Sequence, residues 1–475
     1  MPSGRRPSLQ WPAASVLWLL VLAVSPAAAV PRATVRASSA AFSAAVRAVD
    51  AEGRLTVTEL SLEGEGEGSA QLELTRFEVW SPDATVVLQG PGGAPPHVQG
   101  PPNTAYFRGH LAGSPASSVM LAARPGEMVK PPFECGNDDH GMHAHTDHAE
   151  HTHADGDDPP LATRKLLQSV NDQALTTTIA LETDAEFLSL FGGSTAVATD
   201  YAGDLIGYAD VVNSREINTD MLIGYLRLWT GAASKDPWPS TSSTLTALQN
   251  FQAHWNANMQ GVERSVAHML SGMYTGGGIA YIGTLCDWHG NRAGSNSYGY
   301  SGGLTGGFNW NEVQTSNPAS VVWDISVVIH ELGHSYNSPH SHDYCNVGGI
   351  AEPVDNCAST CNTASGVLPP CSGPTPHFNG GPGTIMSYCH QLGSYNNQAL
   401  TFGVNHACGV APSRIAERMR AHVEQRAAAY PPCFVGRWPS PPPPPPPPAV
   451  CRPRGQPCSA ASECCSRRCS KSKCG

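Results

Sequence analysis

The sequence VVIHELGHSYNSPH, Val327–His340, contains three histidines at spacings of four and six residues, and a glutamate follows the first of them. From Ala319 onward the residues before it are almost all apolar, which predicts a buried helix. Residues four apart on a helix share one face, so His330 and His334 would direct their rings to the same point. Two such imidazoles can bind one metal ion, each through a ring nitrogen about 2.0–2.1 Å away.

Glu331 and the following turn complete this pattern. Glu331 is rotated away from the line of the two histidines, where it can act as a general base toward water rather than as a ligand. A third ligand must come from beyond the helix, and His340 lies six residues after His334. Asn337 tolerates the positive φ of a sharp turn, and Pro339 keeps the helix from continuing. We therefore expect the chain to turn at Asn337 and bring His340 to the metal.

This segment resembles the metzincin pattern H-E-x-x-H-x-x-G-x-x-H, with Asn337 in place of the glycine. The resemblance is closest to reprolysin-like (adamalysin-type) metzincins and covers roughly residues 174–433. It implies a catalytic Zn²⁺ whose ligands are His330, His334 and His340. His342 is a rival third ligand, although the six-residue spacing favours His340.

The resemblance also implies features outside the helix. GTIMSYCH would supply a tight turn that places Met386 beneath the metal. Tyr388 stands where astacin-like and serralysin-like metzincins carry a fifth ligand or an oxyanion stabiliser, and a packed or surface tyrosine is the alternative. GGGIAYIGTLC, residues 276–286, resembles the edge strand to which such enzymes pair an extended substrate.

The first part of the chain is typical of a secreted precursor. Residues 1–29 combine two arginines, an apolar run and then three consecutive alanines as a small-residue cleavage site, which predicts a signal peptide, with an uncleaved anchor as the alternative. Residues 30–165 are predicted to be a β-rich propeptide, because apolar and polar residues alternate between glycine and proline breaks. They end in a segment with six histidines and eight acidic residues, 134–158, which predicts a solvated linker or a loose metal binder.

The remainder predicts an α/β fold. In residues 166–435 predicted strands alternate with helices, and the resemblance implies the metzincin arrangement of a mixed twisted sheet, an active-site helix and a Met-turn. Residues 436–450 are a polyproline linker. Residues 451–475 carry six cysteines whose spacing resembles a small disulfide knot, the inhibitor cystine knot. That resemblance implies the pairs Cys451–Cys465, Cys458–Cys469 and Cys464–Cys474.

Cysteine parity singles out one residue. Of the fifteen cysteines, eight lie between Cys286 and Cys433 and six in the C-terminal module, so both groups can pair internally and Cys135 remains. In adamalysin-like enzymes a propeptide cysteine ligates the zinc and keeps the precursor latent, and Cys135 is a candidate for this cysteine switch. An intermolecular disulfide or an idle thiol is the alternative. Arg164–Lys165 is a candidate processing site.

These observations predict a secreted zinc endopeptidase that is made as a latent precursor and acts on proteins or peptides. The alternative is a catalytically silent metzincin-fold binding protein that acts through its C-terminal module. The net charge of −11 argues against a nucleic-acid partner. The C-terminal module is basic, with six Lys and Arg against Glu463, which predicts docking to an anionic polysaccharide or cell-wall surface. A solubilising cap or a toxin-like inhibitor are the other interpretations.

Overall fold

The computed structural model describes the greater part of the chain. The described residues are 19–22, 34–36, 53–63, 69–112, 114–124, 174–231, 236–273, 277–286, 301–306, 318–359, 361, 365–372, 381–393, 397–436, 469–470 and 473–474. Within this set, no helix is both long and apolar enough to cross a membrane. The predicted cysteine switch at Cys135, the processing site Arg164–Lys165 and most of the C-terminal module lie outside the described residues.

The described residues form strands, five α-helices and short 3-10 turns. The strands are β1 (Leu19–Leu22), β2 (Thr34–Arg36), β3 (Arg54–Glu63), β4 (Ser69–Phe77), β5 (Trp80–Gln89), β6 (His97–Gln99), β7 (Ala105–Leu111), β8 (Ser114–Ala123), β9 (Leu175–Thr183), β10 (Thr219–Trp229), β11 (Val266–Ser271), β12 (Gly278–Ala280), β13 (Ser301–Gly306), β14 (Phe434–Gly436), β15 (Cys469–Ser470) and β16 (Lys473–Cys474). The helices are α1 (Ala185–Leu190), α2 (Thr195–Ile217), α3 (Thr244–Asn258), α4 (Pro318–Ser335) and α5 (Arg414–Ala429).

A mixed sheet forms the centre of the molecule. Its strand order is β12-β13-β11-β9-β10-β5-β6, and β14 pairs with β9. Strands β13, β11, β9, β10 and β5 run parallel, whereas β12, β6 and β14 are antiparallel to their neighbours. A mixed sheet with helices agrees with the predicted α/β class.

A closed barrel precedes this sheet in sequence. Its strands are β1, β2, β3, β4, β7 and β8, all paired antiparallel. Strand β1 lies within the predicted signal peptide and pairs with β8. Strand β5 belongs to the predicted propeptide by sequence, yet it pairs in parallel with β10 of the large sheet. The sequence did not predict this pairing, because it joins residues about 140 positions apart.

The core of the large sheet forms against α2 and α4. Helix α2 begins at Ser194, whose hydroxyl accepts a hydrogen bond from the Val197 amide, and it ends at Asn218 in the left-handed conformation. Tyr201 of α2 donates a hydrogen bond to Asp324 of α4, and both side chains are buried. The apolar face of α4 is fully buried, and its residues are Ile325, Val328, Ile329 and Leu332. Burial of each such side chain contributes about 1.5–3 kcal/mol, so α4 is held firmly.

All eight cysteines between Cys286 and Cys433 are paired, as their parity predicted. The bridges are Cys286–Cys433, Cys345–Cys361, Cys357–Cys389 and Cys371–Cys408. Three of them fix the irregular segment that follows α4, which has little regular structure of its own. The remaining bridge, Cys286–Cys433, spans 147 residues and attaches the chain after β12 to the 3-10 turn before β14.

Candidate metal centre

Helix α4 and the turn after it position three histidines. From Asp324 to Tyr336 every residue except Val327 is buried, as the apolar sequence predicted. The helix ends with the Asn337 amide bonded to the His334 carbonyl at 2.8 Å and the Ser338 amide bonded to the Gly333 carbonyl at 3.1 Å. Asn337 has φ of 74°, so the predicted turn residue does adopt the left-handed conformation.

The rings of His330, His334 and His340 converge. Each offers a nitrogen, and these three atoms lie within 4.8 Å of one another. The Nδ1 atom of His330 is 2.7 Å from the Ile385 carbonyl, and that of His334 is 2.7 Å from the Ser338 carbonyl. A carbonyl only accepts, so both Nδ1 atoms must donate and both Nε2 atoms keep a lone pair. Those two Nε2 atoms are 3.1 Å apart and face each other.

Burial keeps the imidazole of His330 in the form that a metal requires. It lowers the pKa of His330 to about 4, although the hydrogen bond to Ile385 acts in the opposite direction. A neutral ring at neutral pH is able to ligate, whereas a protonated one is not. Three imidazoles around one point are the donor set of a catalytic zinc site that leaves a fourth position open. The residues present therefore fit Zn²⁺.

Glu331 follows His330 on α4, and its side chain lies against Gly278 of β12. Its side chain is buried, and burial raises its pKa well above the usual value. Among the described residues, the Oε2 atom has no hydrogen-bond partner. The other oxygen, Oε1, lies 2.5 Å from where a Cβ on Gly278 of β12 would stand. A buried carboxyl oxygen without a partner is costly, so Oε2 is a candidate for contact with a bound group.

Met386 lies under the helix at a tight turn. Its side chain is fully buried, and Sδ lies 2.6 Å from where a Cβ on Gly333 would stand. The turn also holds the histidines. The Ile385 carbonyl bonds to His330, and the Met386 carbonyl accepts from the Ser341 amide at 2.9 Å, next to His340.

Gln398 was missed by sequence reasoning. Its Nε2 atom donates to the Ile385 carbonyl at 3.0 Å and to the Ser387 carbonyl at 3.3 Å. It therefore secures the acceptor that orients His330. No local pattern marks it, since it lies twelve residues downstream of Met386 in an irregular segment.

Tyr388 and His342 flank the site. The Tyr388 ring centroid is 4.4 Å from that of His340 and 6.2 Å from that of His330, and burial raises the pKa of its hydroxyl. His342 stacks on His340 with ring centroids 5.1 Å apart. In each of two clusters the ligand atoms lie within 4.8 Å of one another, and the two clusters share His340. One contains His330 and His334, and the other contains His342 and Asp343. This geometry favours His340 over its rival.

Comparison with known proteins agrees with this site. Residues 173–400, which include α4 and the turn at Met386, match the family model Reprolysin_5, described as metallo-peptidase family M12. This part of the chain is similar to metallopeptidase family M12, and the resemblance to reprolysin-like enzymes is confirmed. No curated protein matches the chain.

Two solved structures are similar at low identity. One, described as the structure of a chaperone-substrate complex, is 14% identical with a TM-score of 0.27, and the match covers 53% of this chain. The chain spans only 36% of the length of that protein. The other, metalloproteinase-II from Bacteroides fragilis, is 11% identical with a TM-score of 0.28, and the match covers 61% of this chain and 83% of that one.

Proposed function

We propose that the chain is a secreted zinc endopeptidase, made as a latent precursor. The observation that carries the proposal is the convergence of three imidazoles, two of them buried, on one point, next to the buried Glu331 side chain, whose Oε2 atom has no hydrogen-bond partner among the described residues. The assigned ligands are His330, His334 and His340. Membership of a metallopeptidase family supports hydrolysis of peptide bonds in protein or peptide substrates.

The side chains divide the chemistry between them. Zinc, when bound, supplies a Lewis acid that polarises the scissile carbonyl and acidifies the attacking water. Glu331 accepts the proton of that water and passes it to the leaving amine. Tyr388 keeps its hydroxyl proton, because burial raises its pKa, and it donates to the carbonyl oxygen as negative charge develops. Gln398 holds the Ile385 carbonyl to which His330 bonds, and the Met386 carbonyl holds the amide of Ser341, the residue after His340.

The substrate is proposed to bind along β12. This strand ends the sheet, and among the described residues no strand pairs with its outer side. An extended peptide can add there as a further strand, which places its backbone next to Glu331 because Gly278 of β12 contacts that carboxylate.

Two variants test the proposal. Glu331→Ala should retain one zinc per chain and lose about 10²–10⁴-fold in peptide cleavage, since a general base contributes about that much. His330→Ala should lose the metal as well. The measurement combines metal analysis with cleavage of a peptide library by the purified protein after it has been cut at Arg164–Lys165. Undiminished turnover in zinc-loaded Glu331→Ala would contradict the mechanism, and zinc binding by the cut parent protein without any cleavage would favour the silent binding protein.

Latency is proposed to come from Cys135, which lies outside the described residues. A thiolate at the zinc would compete with the attacking water. Full-length Cys135→Ser should therefore cleave a generic peptide without prior processing, whereas the parent precursor should not. Equal inertness of both proteins would assign latency to some other part of the chain.

The C-terminal module is proposed to dock onto an anionic polysaccharide surface through its basic residues. A synthetic peptide of residues 451–475 should be retained on sulfated polysaccharide at low salt. A version with its six Lys and Arg replaced by Gln should elute early. Equal retention of the two peptides would remove this electrostatic proposal.

A further inference from the structure

The N-terminal module is defined here as residues 53–63, 69–112 and 114–124. It contributes strand β5 to the large sheet, which also contains the strands of the metallopeptidase match. Strand β5 pairs with β10 from Thr85 opposite Tyr225 to Gln89 opposite Trp229, without interruption. Two further bonds extend the contact, from the Ile223 amide to the Val79 carbonyl at 2.8 Å and from the Thr230 amide to the Gln89 carbonyl at 2.9 Å. The module therefore covers the edge that β10 would otherwise expose.

Buried side chains of the module also pack against helix α2. A Cβ on Gly203 would lie 2.4 Å from the Tyr106 hydroxyl and 3.1 Å from Nε1 of Trp80. A Cβ on Gly207 would lie 2.9 Å from Sδ of Met120. The three module side chains are at most 6% exposed. The helix thus approaches the module as closely as two glycines allow, which is typical of a packed core.

The charges at this contact are complementary. Arg108 of the module pairs with Asp210 and, at 3.3 Å, with Asp220. Arg124 pairs with Asp204 and, at 3.2 Å, with Asp200, which also accepts a hydrogen bond from Thr104 at 2.8 Å. The Asp210 side chain is only 1% exposed. Loss of the module would leave this carboxylate in an apolar environment without its cation.

We propose that the N-terminal module stays bound to the metallopeptidase sheet after the chain is cut at Arg164–Lys165, as a permanent part of the folded protein rather than a propeptide that is released. The partner of the β10 edge and the α2 face is thus the chain's own N-terminal fragment. This inference rests on the contact between the module and the sheet, applies to the chain cut at Arg164–Lys165, and holds whether or not the chain is a protease.

Retention is compatible with an open active site. The module joins the sheet at β5, and β12 lies five strand positions away, which corresponds to roughly 24 Å at the usual strand spacing. The module therefore contacts one end of the sheet while Glu331 and β12 lie at the other. Cutting the chain makes the contact bimolecular and adds the entropy cost of association, which the paired strand, buried rings and ion pairs must exceed.

The test cuts the protein at one place. In the full chain carrying Glu331→Ala, which prevents self-digestion, a recognition sequence for a highly specific protease replaces the residues around Arg164–Lys165. After cutting, the two fragments should co-elute in size exclusion at micromolar concentration and after a hundredfold dilution. Separation of the fragments under native conditions would overturn the proposal, whatever the state of the larger fragment.

A substitution at the contact adds a second readout. Alanine favours a helix over glycine, so Gly203→Ala should stabilise α2 if nothing packs there and should loosen the module if Tyr106 and Trp80 do. We expect the cut Gly203→Ala protein to release the module at least tenfold faster than the parent. Gly261→Ala, where a Cβ meets nothing within 4 Å, is the matched control. Where Gly203→Ala does not fold, Arg124→Gln tests the same surface. Equal release rates in parent and variant would overturn the proposed contact.

Discussion

The two ends of the large sheet differ in what surrounds them. Both terminal strands, β6 and β12, have three residues. Strand β6 is fully exposed and lies between two pairs of prolines, Pro95–Pro96 and Pro101–Pro102. Strand β12 has no proline, is partly buried, and places Gly278 against Glu331. The flanking prolines hinder the addition of another strand at the β6 end, whereas the proposed substrate would add at the β12 end.

The comparison separates two uses of an edge. Beyond β10, the sheet is extended by β5 of the N-terminal module and ends with β6, which is flanked by prolines. At the other end it stops beside the histidine cluster. If this distinction is correct, substitutions at the module should affect stability, and substitutions at β12 should affect catalysis.

Arg108→Met should give the largest effect. It leaves the Asp210 carboxylate buried without its partner, which typically costs about 3–5 kcal/mol. Urea denaturation of the full chain measures the loss. Arg76→Met is the control, because Arg76 and Glu78 form a pair that is 50% and 52% exposed and should contribute less than about 1 kcal/mol. Equal losses in both variants would remove the distinction between core contact and surface pair.

Asp184→Asn tests a buried carboxyl group directly after β9, a central strand of the large sheet. Asp184 precedes α1 and accepts hydrogen bonds from the Phe187 and Gly272 amides and from the Ser271 hydroxyl. Burial raises its pKa to about 7, although those hydrogen bonds act in the opposite direction. The folded state then holds a proton between about pH 4 and pH 7 that the unfolded state releases, so the free energy of unfolding falls as pH rises through this window.

The expected contribution of Asp184 is at most about 4 kcal/mol, from roughly three pKa units at 1.36 kcal/mol each. Asp184→Asn should remove that part of the pH dependence, as measured by urea denaturation at several pH values. The exposed Glu263→Gln is the control and should leave the slope unchanged. An unaltered slope in Asp184→Asn would show that this carboxyl titrates alike in both states.

Gly278→Ala should give the smallest effect in free energy, and it should appear in catalysis. The added methyl would lie 2.4 Å from Cγ of Glu331, so the carboxyl group must move. A displacement of about 1 Å can cost about 10²-fold in rate, and we expect a 10–100-fold fall in kcat/KM with zinc content unchanged. The fall should be smaller in a Glu331→Asp background, where the shorter side chain leaves room. Full activity of Gly278→Ala would mean that β12 does not confine Glu331.

The sequence was sufficient to predict those features of the site that depend on residues close together in the chain. His330 and His334 were identified from helical spacing, and Asn337 from the backbone requirement of a turn, because each depends on a few consecutive residues. The β5–β10 pairing, the Gly278–Glu331 contact and the support from Gln398 depend on residues that meet only in the folded chain. A glycine on an edge strand or a glutamine in a loop has no sequence pattern that distinguishes it from many others.

The parallel pairing of β5 with β10 has a consequence for synthesis. The module ends at residue 124 and β10 begins at Thr219, so at about 5–20 residues per second the module is complete roughly five to twenty seconds before synthesis of β10 begins. Strand β5 has therefore been synthesised and can be folded by the time β10 emerges from the ribosome. A nascent chain in this order need not expose an uncovered parallel edge to its neighbours, which lowers the risk of intermolecular strand pairing during the slowest part of folding.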